Sequence, residues 1–240
     1  MTSHRPLSRA ANARIVRQSL RIRIDAHARL VARTDRLALA LLRAIDGKPT
    51  NLKSVHASSM LLGRVVFDLK CCLSLARGGY LLQSWSLATS LLENAWSIGY
   101  IGTDEQRAER WFEHQELERT PWKARSGLRA TLRLLELEDQ ETLLYRHFTN
   151  LSAAKHGNPL LQRRFGVTRD STGIRVQLGP FYSEGVVRMT RFVLLWSVQA
   201  VCLSLAAFDL SHLRNRRFAR RVVALQDDVR LLAKSIRSPN

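Results

Sequence analysis

Apolar residues return at intervals of three and four through most of the chain, the period of a helix with one buried face. From residue 8 to 46 there is neither Pro nor Gly, and Ile24, Val31, Ala38, Leu41, Leu42 and Ile45 keep that period. One long helix is predicted there, stopped by Gly47-Lys48-Pro49. A second helix is predicted over 52–77, with Gly78-Gly79 as its break or C-cap, and a third over 81–101. Thr103 reads as the N-cap of a short charged helix over 104–119, with Gln106 as its capping-box partner. Thr120-Pro121 restarts a helix that runs to about 137, breaks near Glu138-Asp139 and resumes to Lys155. Ser183 caps a very apolar helix over 184–213, and an amphipathic helix over 216–236 closes the chain.

The period changes once. Between 160 and 182, two short alternating runs, Arg163-Arg164-Phe165-Gly166-Val167-Thr168 and Ile174-Arg175-Val176-Gln177-Leu178, flank a turn-rich segment. They predict a small β-hairpin-like excursion. The fold class expected is therefore all-α: an antiparallel bundle of roughly six to eight helices in one domain spanning 1–240. Its core is expected over 52–213, flanked by a basic N-terminal helix (8–46) and a basic C-terminal helix (214–240).

Charge adds a candidate partner. The 240 residues carry 38 basic and 20 acidic side chains, a net charge of +18, and 32 of the basic residues are Arg. Residues 1–50 hold 11 basic and 3 acidic groups and 201–240 hold 8 and 3, whereas 101–150 is slightly acidic. Such a field attracts polyanions by counterion release, so RNA or DNA is the first candidate partner and an anionic membrane the second. An Arg-heavy composition also arises from codon usage alone. Arg14, Arg17 and Arg21 in the first helix, and Arg217, Arg220 and Arg221 in the last, are the residues expected to touch phosphate.

Three Cys cannot build a disulfide framework, and Cys71-Cys72 reads as core packing, so a reduced, cytoplasmic setting is the default. The Arg-studded start carries no apolar run of the secretory kind. The uncharged stretch 192–208 is at the short limit for crossing a bilayer and is expected to be a buried central helix, with no membrane span. Phosphate-loop, nucleophile-elbow and zinc-ligand patterns are missing, so neither metal nor cofactor is expected.

One constellation carries candidate chemistry. In the run from Tyr145 to Asn158, Tyr145, Thr149, Ser152 and His156 follow a 4-3-4 spacing and share one helix face. His156 sits at a helix C-terminus, where positive charge is favoured, and Lys155, Arg163 and Arg164 lie close in sequence. Such a stripe could bind a phosphate or move a proton beside one. It could equally serve hydrogen bonds between helices, with His156 capping carbonyls. Glu93, set among apolar neighbours in Leu91-Leu92-Glu93-Asn94-Ala95-Trp96, needs a partner if buried, and His156 or an Arg of a facing helix would serve. On an amphipathic helix it could instead face solvent.

These two segments, with Tyr100-Ile101 and Trp111 between them, resemble a bacterial all-helical family related to the abortive-infection and HEPN-like bundles. The resemblance covers roughly residues 55–215. It rests on the helix around Glu93 and on Asn150-Leu151-Ser152-Ala153-Ala154-Lys155-His156-Gly157-Asn158. It implies a nucleic-acid-associated protein of a phage-defence or toxin-like system. Active members are metal-independent ribonucleases whose motif is Arg, four to six residues, then His. The resemblance thus implies catalytic roles for His156 and, less directly, Glu93. At the Arg position this chain offers Leu151, Asn150 or Thr149, and Arg146 lies ten residues upstream of His156, about 15 Å along a helix. The carry-over therefore supports the fold further than it supports RNA cleavage. The alternative class is a non-catalytic helical module that forms a homodimer or binds a protein partner. A third is a peripheral membrane protein using its Arg-rich helices.

Overall fold

The computed structural model describes residues 9–115, 121–156, 167–170, 173–176 and 182–237. The fold is an all-α helical bundle. Among the described residues, nine α-helices follow one another: α1 (Arg9–Arg23), α2 (Asp25–Ile45), α3 (Lys53–Gly78), α4 (Leu81–Ile101), α5 (Glu105–Glu113), α6 (Ala124–Leu134), α7 (Glu141–Lys155), α8 (Glu184–Phe208) and α9 (Arg216–Arg237). Backbone pairing joins Val167–Asp170 (β1) to Gly173–Val176 (β2) antiparallel, with Val167 opposite Val176. The rest of the expected excursion over 160–182, up to Phe181, lies outside the described residues.

The long N-terminal helix expected over 8–46 is in fact two helices that meet at Ile24. The cause is 168 residues away in sequence. The Arg191 guanidinium of α8 donates to the Arg23 carbonyl at 2.9 Å and 2.7 Å, holding that carbonyl out of the helical ladder. Arg23 in turn pairs with Glu184 at 2.6 Å, so the junction is clamped to the start of α8 from both sides. Two helix starts also differ from expectation. Asp104, not Thr103, caps α5 by accepting from the Arg107 N–H at 3.1 Å, and α6 begins at Ala124 rather than at Pro121.

Other signals act as expected. Gly79 ends α3 in the left-handed conformation, φ +81°, which glycine adopts without a Cβ penalty. Ser183 accepts from the Val186 N–H at 3.1 Å and opens α8. The chain between α6 and α7 turns through Glu136 and one 3₁₀ turn, Glu138–Gln140.

Helix α8 is the axis of the bundle. Val193, Leu194, Val198, Val201, Leu205 and Phe208 are all buried, and α2, α3, α4 and α9 pack around the helix. Together with the following turn it is long and apolar enough to cross a membrane, and 78% of its most apolar window is buried inside the fold. Helices α3 and α4 run antiparallel: the Cys72 thiol near the end of α3 donates to the Ser84 carbonyl near the start of α4. At the other end, Ser54 at the start of α3 bonds Glu105 just past α4. Helix α8 runs parallel to α2, with Arg191 beside Arg23 at one end and Phe208 beside Leu42 at the other.

The α4–α6 crossing is very close. The Thr131 hydroxyl lies within hydrogen-bond distance of the Trp96 carbonyl (3.1 Å) and the Gly127 carbonyl (2.9 Å). A Cβ on Gly99 would stand 2.9 Å from the Thr131 Cα. Only glycine permits this approach of the two backbones.

Candidate functional site

The candidate site grows from one aromatic contact. Trp96 of α4 packs on Phe148 of α7 with ring centroids 4.7 Å apart, and both rings are buried. Glu93 lies one turn before Trp96 and Lys155 lies two turns beyond Phe148, so both fall on the faces that the aromatic contact brings together. Lys155 Nζ accordingly reaches Glu93 Oε2 at 2.7 Å, with each side chain about one-third exposed. Glu93 is therefore half-buried, and its partner is Lys155 rather than His156 or an Arg. Lys155, expected to meet nucleic acid, is engaged with this carboxylate.

His156 is the C-cap of α7. Its backbone N–H donates to the Ser152 carbonyl at 3.1 Å, and its imidazole is exposed and has no hydrogen bond to the described residues. Thr149 and Tyr145 of the polar stripe are engaged locally. The Thr149 hydroxyl donates to the Tyr145 carbonyl at 3.0 Å. The Tyr145 ring lies 5.0 Å below the Arg125 guanidinium. Glu141 beneath that pair accepts from Arg125 at 2.8 Å and from Arg129 at 2.9 Å, and hydrogen bonding to Arg125 holds its carboxyl below the usual carboxylate range. The structure thus brings Glu93, Lys155 and His156 to one end of α7. Arg146 is exposed further back along α7, and Arg163 and Arg164 lie outside the described residues.

The basic arms occupy a different part of the molecule. On α1, Val16 and Leu20 pack on Val187 of α8, while Arg14, Arg17 and Arg21 are exposed and make no ion pair with the described residues. On α9, Phe218, Val222 and Leu225 face the core, and Arg217, Arg220 and Arg221 are likewise exposed and unpaired with the described residues. Asn215 opens α9 by accepting from the Arg217 and Phe218 N–H groups. Arg217 and Arg221 stand beside Ala40 and Ala44 near the end of α2.

Between the two triplets runs the outer face of α2, with Arg29, Arg33, Arg36 and Arg43 at helical spacing. Arg29 pairs with Asp25 and Arg33 with Asp228 of α9 at 2.6 Å, which leaves Arg36 and Arg43 exposed and unpaired among the described residues. Reading the ends of the chain for charge missed these two. Their seven-residue spacing is the signal that would have found them.

Among the described residues no group of three or more His, Cys, Asp or Glu is placed to hold a metal ion. No protein-family model matches this chain, and no curated protein or solved structure is significantly similar to it.

Proposed function

We propose that this is a nucleic-acid-associated helical protein that binds phosphate backbone through α1, the outer face of α2 and the first turns of α9, with little dependence on base sequence. The observation that carries the reading is the placement of unpaired Arg. Arg14, Arg17 and Arg21 lie before one end of α2, Arg217 and Arg221 lie beside its other end, and Arg36 and Arg43 lie between. Helix α2 has 21 residues, about 30 Å at the helical rise, or about nine nucleotide steps at 3.4 Å each. Exposed guanidiniums without acidic partners release counterions from a polyanion at little cost to the fold, because no internal ion pair has to break.

A HEPN-like relationship, with a role in phage defence or a toxin-like system, belongs to the same proposal and draws its support from the motif around His156. In this reading His156 moves the proton of the RNA 2′-OH, and Lys155 holds Glu93 at the same end of α7. The charge-stabilising Arg is missing from its position on α7, and losing a comparable donor costs roughly 10²–10³ in rate. Cleavage is then slow and needs no metal, and His156→Ala abolishes it while leaving the fold intact. Cleavage that requires metal, or that survives His156→Ala, contradicts this part.

The test of association is crosslinking followed by sequencing of the nucleic acid that copurifies. Recovery of RNA or DNA without a consensus sequence is expected. Recovery of none favours the interaction-module reading, for which the groove between α7, α8 and α9, about 480 Å³ and lined by Leu144, Phe192, Trp196 and Val229, is the natural surface.

A further inference from the structure

A second cavity lies at the end of the bundle where α2, α3 and the end of α8 meet. It is a partly open pocket of about 650 Å³, within the range of small-molecule sites. Its walls divide by chemistry. Leu42, Val55 and Phe208 supply apolar surface, while Arg43 and Lys48 bring two cations and Asp46 one acid. Neither Arg43 nor Lys48 has an ion pair to the described residues.

The chain departs from regular helix at this wall. After Phe208 the helix widens into one π turn, Asp209–Leu213, in which the Arg214 N–H donates to the Asp209 carbonyl. Arg214 then takes φ +51°, in the left-handed region that a non-glycine residue rarely adopts. Asp209 anchors the turn, buried to 2% exposure and accepting from the Asn215 N–H at 3.0 Å. π turns of this kind concentrate at functional sites.

The turn places one unsatisfied group at the cavity. His212 lines the cavity with its ring centroid 4.8 Å from that of Phe208, and its Nε2 is buried without a hydrogen-bond partner. The Ser211 hydroxyl, also buried without a partner, lies instead toward Gly102 at the end of α4 and outside the cavity. Orphaned buried polar atoms are uncommon in native folds and call for an explanation. With Nε2 sealed from any partner, Nδ1 is the nitrogen left to serve a ligand. Burial lowers the His212 pKa, against a smaller opposing effect of Glu105, and so favours the neutral ring.

We infer that this cavity binds a small amphipathic anion, a carboxylate or phosphate carried on an apolar body, with the body against Leu42, Val55 and Phe208, the anion between Arg43 and Lys48, and a hydrogen bond from His212. The apolar wall distinguishes this site from the Arg surface of α1 and α9; Arg43 is shared with the outer face of α2, so Lys48, which the nucleic-acid proposal does not use, separates the two.

Isothermal titration calorimetry of the whole protein at pH 7 tests it, with decanoate and decyl phosphate as probes, decanol as the neutral twin and inorganic phosphate as the bodiless anion. One decanoate or decyl phosphate per chain is expected, and the tighter of the two identifies the headgroup. Decanol should bind at least about 10-fold more weakly, and inorganic phosphate should give no saturable heat in the same range. Lys48→Met, at an exposed position that leaves folding untouched, should weaken both probes about 10-fold and leave decanol unchanged. His212→Phe should weaken the anions further, and Arg77→Ala, at the last turn of α3, should change nothing. Absence of binding, decanol binding as tightly as decanoate, Lys48→Met without effect, or an equal loss with Arg77→Ala would each overturn the inference.

Discussion

Lys155 Nζ stands 2.7 Å from Glu93 Oε2, and this ion pair ties the last turn of α7 to the middle of α4 immediately beside His156. Each residue therefore occupies the other. Glu93 is not an unencumbered base, and Lys155 reaches a phosphate only by leaving its carboxylate. The pair is partly solvated, so its contribution to stability is small, about 0.2–1 kcal/mol. Lys155→Met should lower the unfolding free energy in urea by less than about 1 kcal/mol. A loss well above that would mean that the pair holds α7 in place rather than decorating its end.

The close crossing of α4 and α6 makes a sharper expectation. A methyl group at Gly99 must push on the backbone of Thr131, whereas at Gly63 in α3 an added Cβ meets nothing within 4 Å. Gly99→Ala should cost about 1–3 kcal/mol by overpacking. Gly63→Ala should stabilise by about 0.4–1 kcal/mol through lost unfolded-state freedom. Urea denaturation of the two variants checks both signs, and equal effects would place the crossing elsewhere.

His27 supplies a pH dependence. It is 4% exposed, neither ring nitrogen has a partner, and burial, assisted by the charge of Arg191, lowers its pKa to about 4. The unfolded chain, with an ordinary His near 6.5, binds the proton first as pH falls. Stability attributable to this residue is thus full above pH 6.5 and is lost as pH falls toward 4, by about 3 kcal/mol over the whole window. The difference in unfolding free energy between wild type and His27→Leu should shift in favour of Leu by roughly that amount between pH 7 and pH 4. A pH-independent difference would show that His27 titrates alike in the folded and unfolded chains, contrary to its burial.

Thiol chemistry reports on the axis of the bundle. Burial pushes the Cys72 and Cys202 thiols up to about 12, and Cys72 is further held between the Ser84 carbonyl and the Ser197 hydroxyl. Cys71, one position earlier, is half-buried. A thiol reagent at pH 8 should modify Cys71 alone in the native protein and all three after denaturation. Rapid native labelling of Cys202 would contradict the central position of α8.

Much of this architecture was legible in the sequence because its signals are local. Gly79, Ser183 and the Gly47-Lys48-Pro49 stop act through their own backbone chemistry. The break at Ile24 was not legible, since it depends on Arg191 bonding the Arg23 carbonyl across 168 residues. The π turn after Phe208 was hidden for a different reason: the apolar period runs on past it, and the local bond from the Asn215 N–H to Asp209 leaves no mark in that period. In the site, the sequence pointed to Glu93 and to the end of α7 but gave Glu93 the wrong partner. Lys155 lies seven residues, about two turns, past Phe148 and so shares its face, while His156 is rotated about 100° further round the helix.

Nucleic-acid binding by this protein depends above all on the unpaired Arg of α1 and α9 meeting phosphate. The direct measurement is the affinity of the intact protein for a fluorescein-labelled single-stranded RNA as a function of salt concentration. The logarithm of the association constant should fall linearly with the logarithm of salt, whatever the base sequence. Replacing Arg14, Arg17 and Arg21 together by Ala should reduce that slope by about 2, since each phosphate contact on a single strand contributes about 0.7, and replacing Arg217, Arg220 and Arg221 should do the same. Micromolar or tighter binding that is indifferent to salt, or a slope unchanged in both triple variants, would contradict the assignment of these faces to nucleic acid.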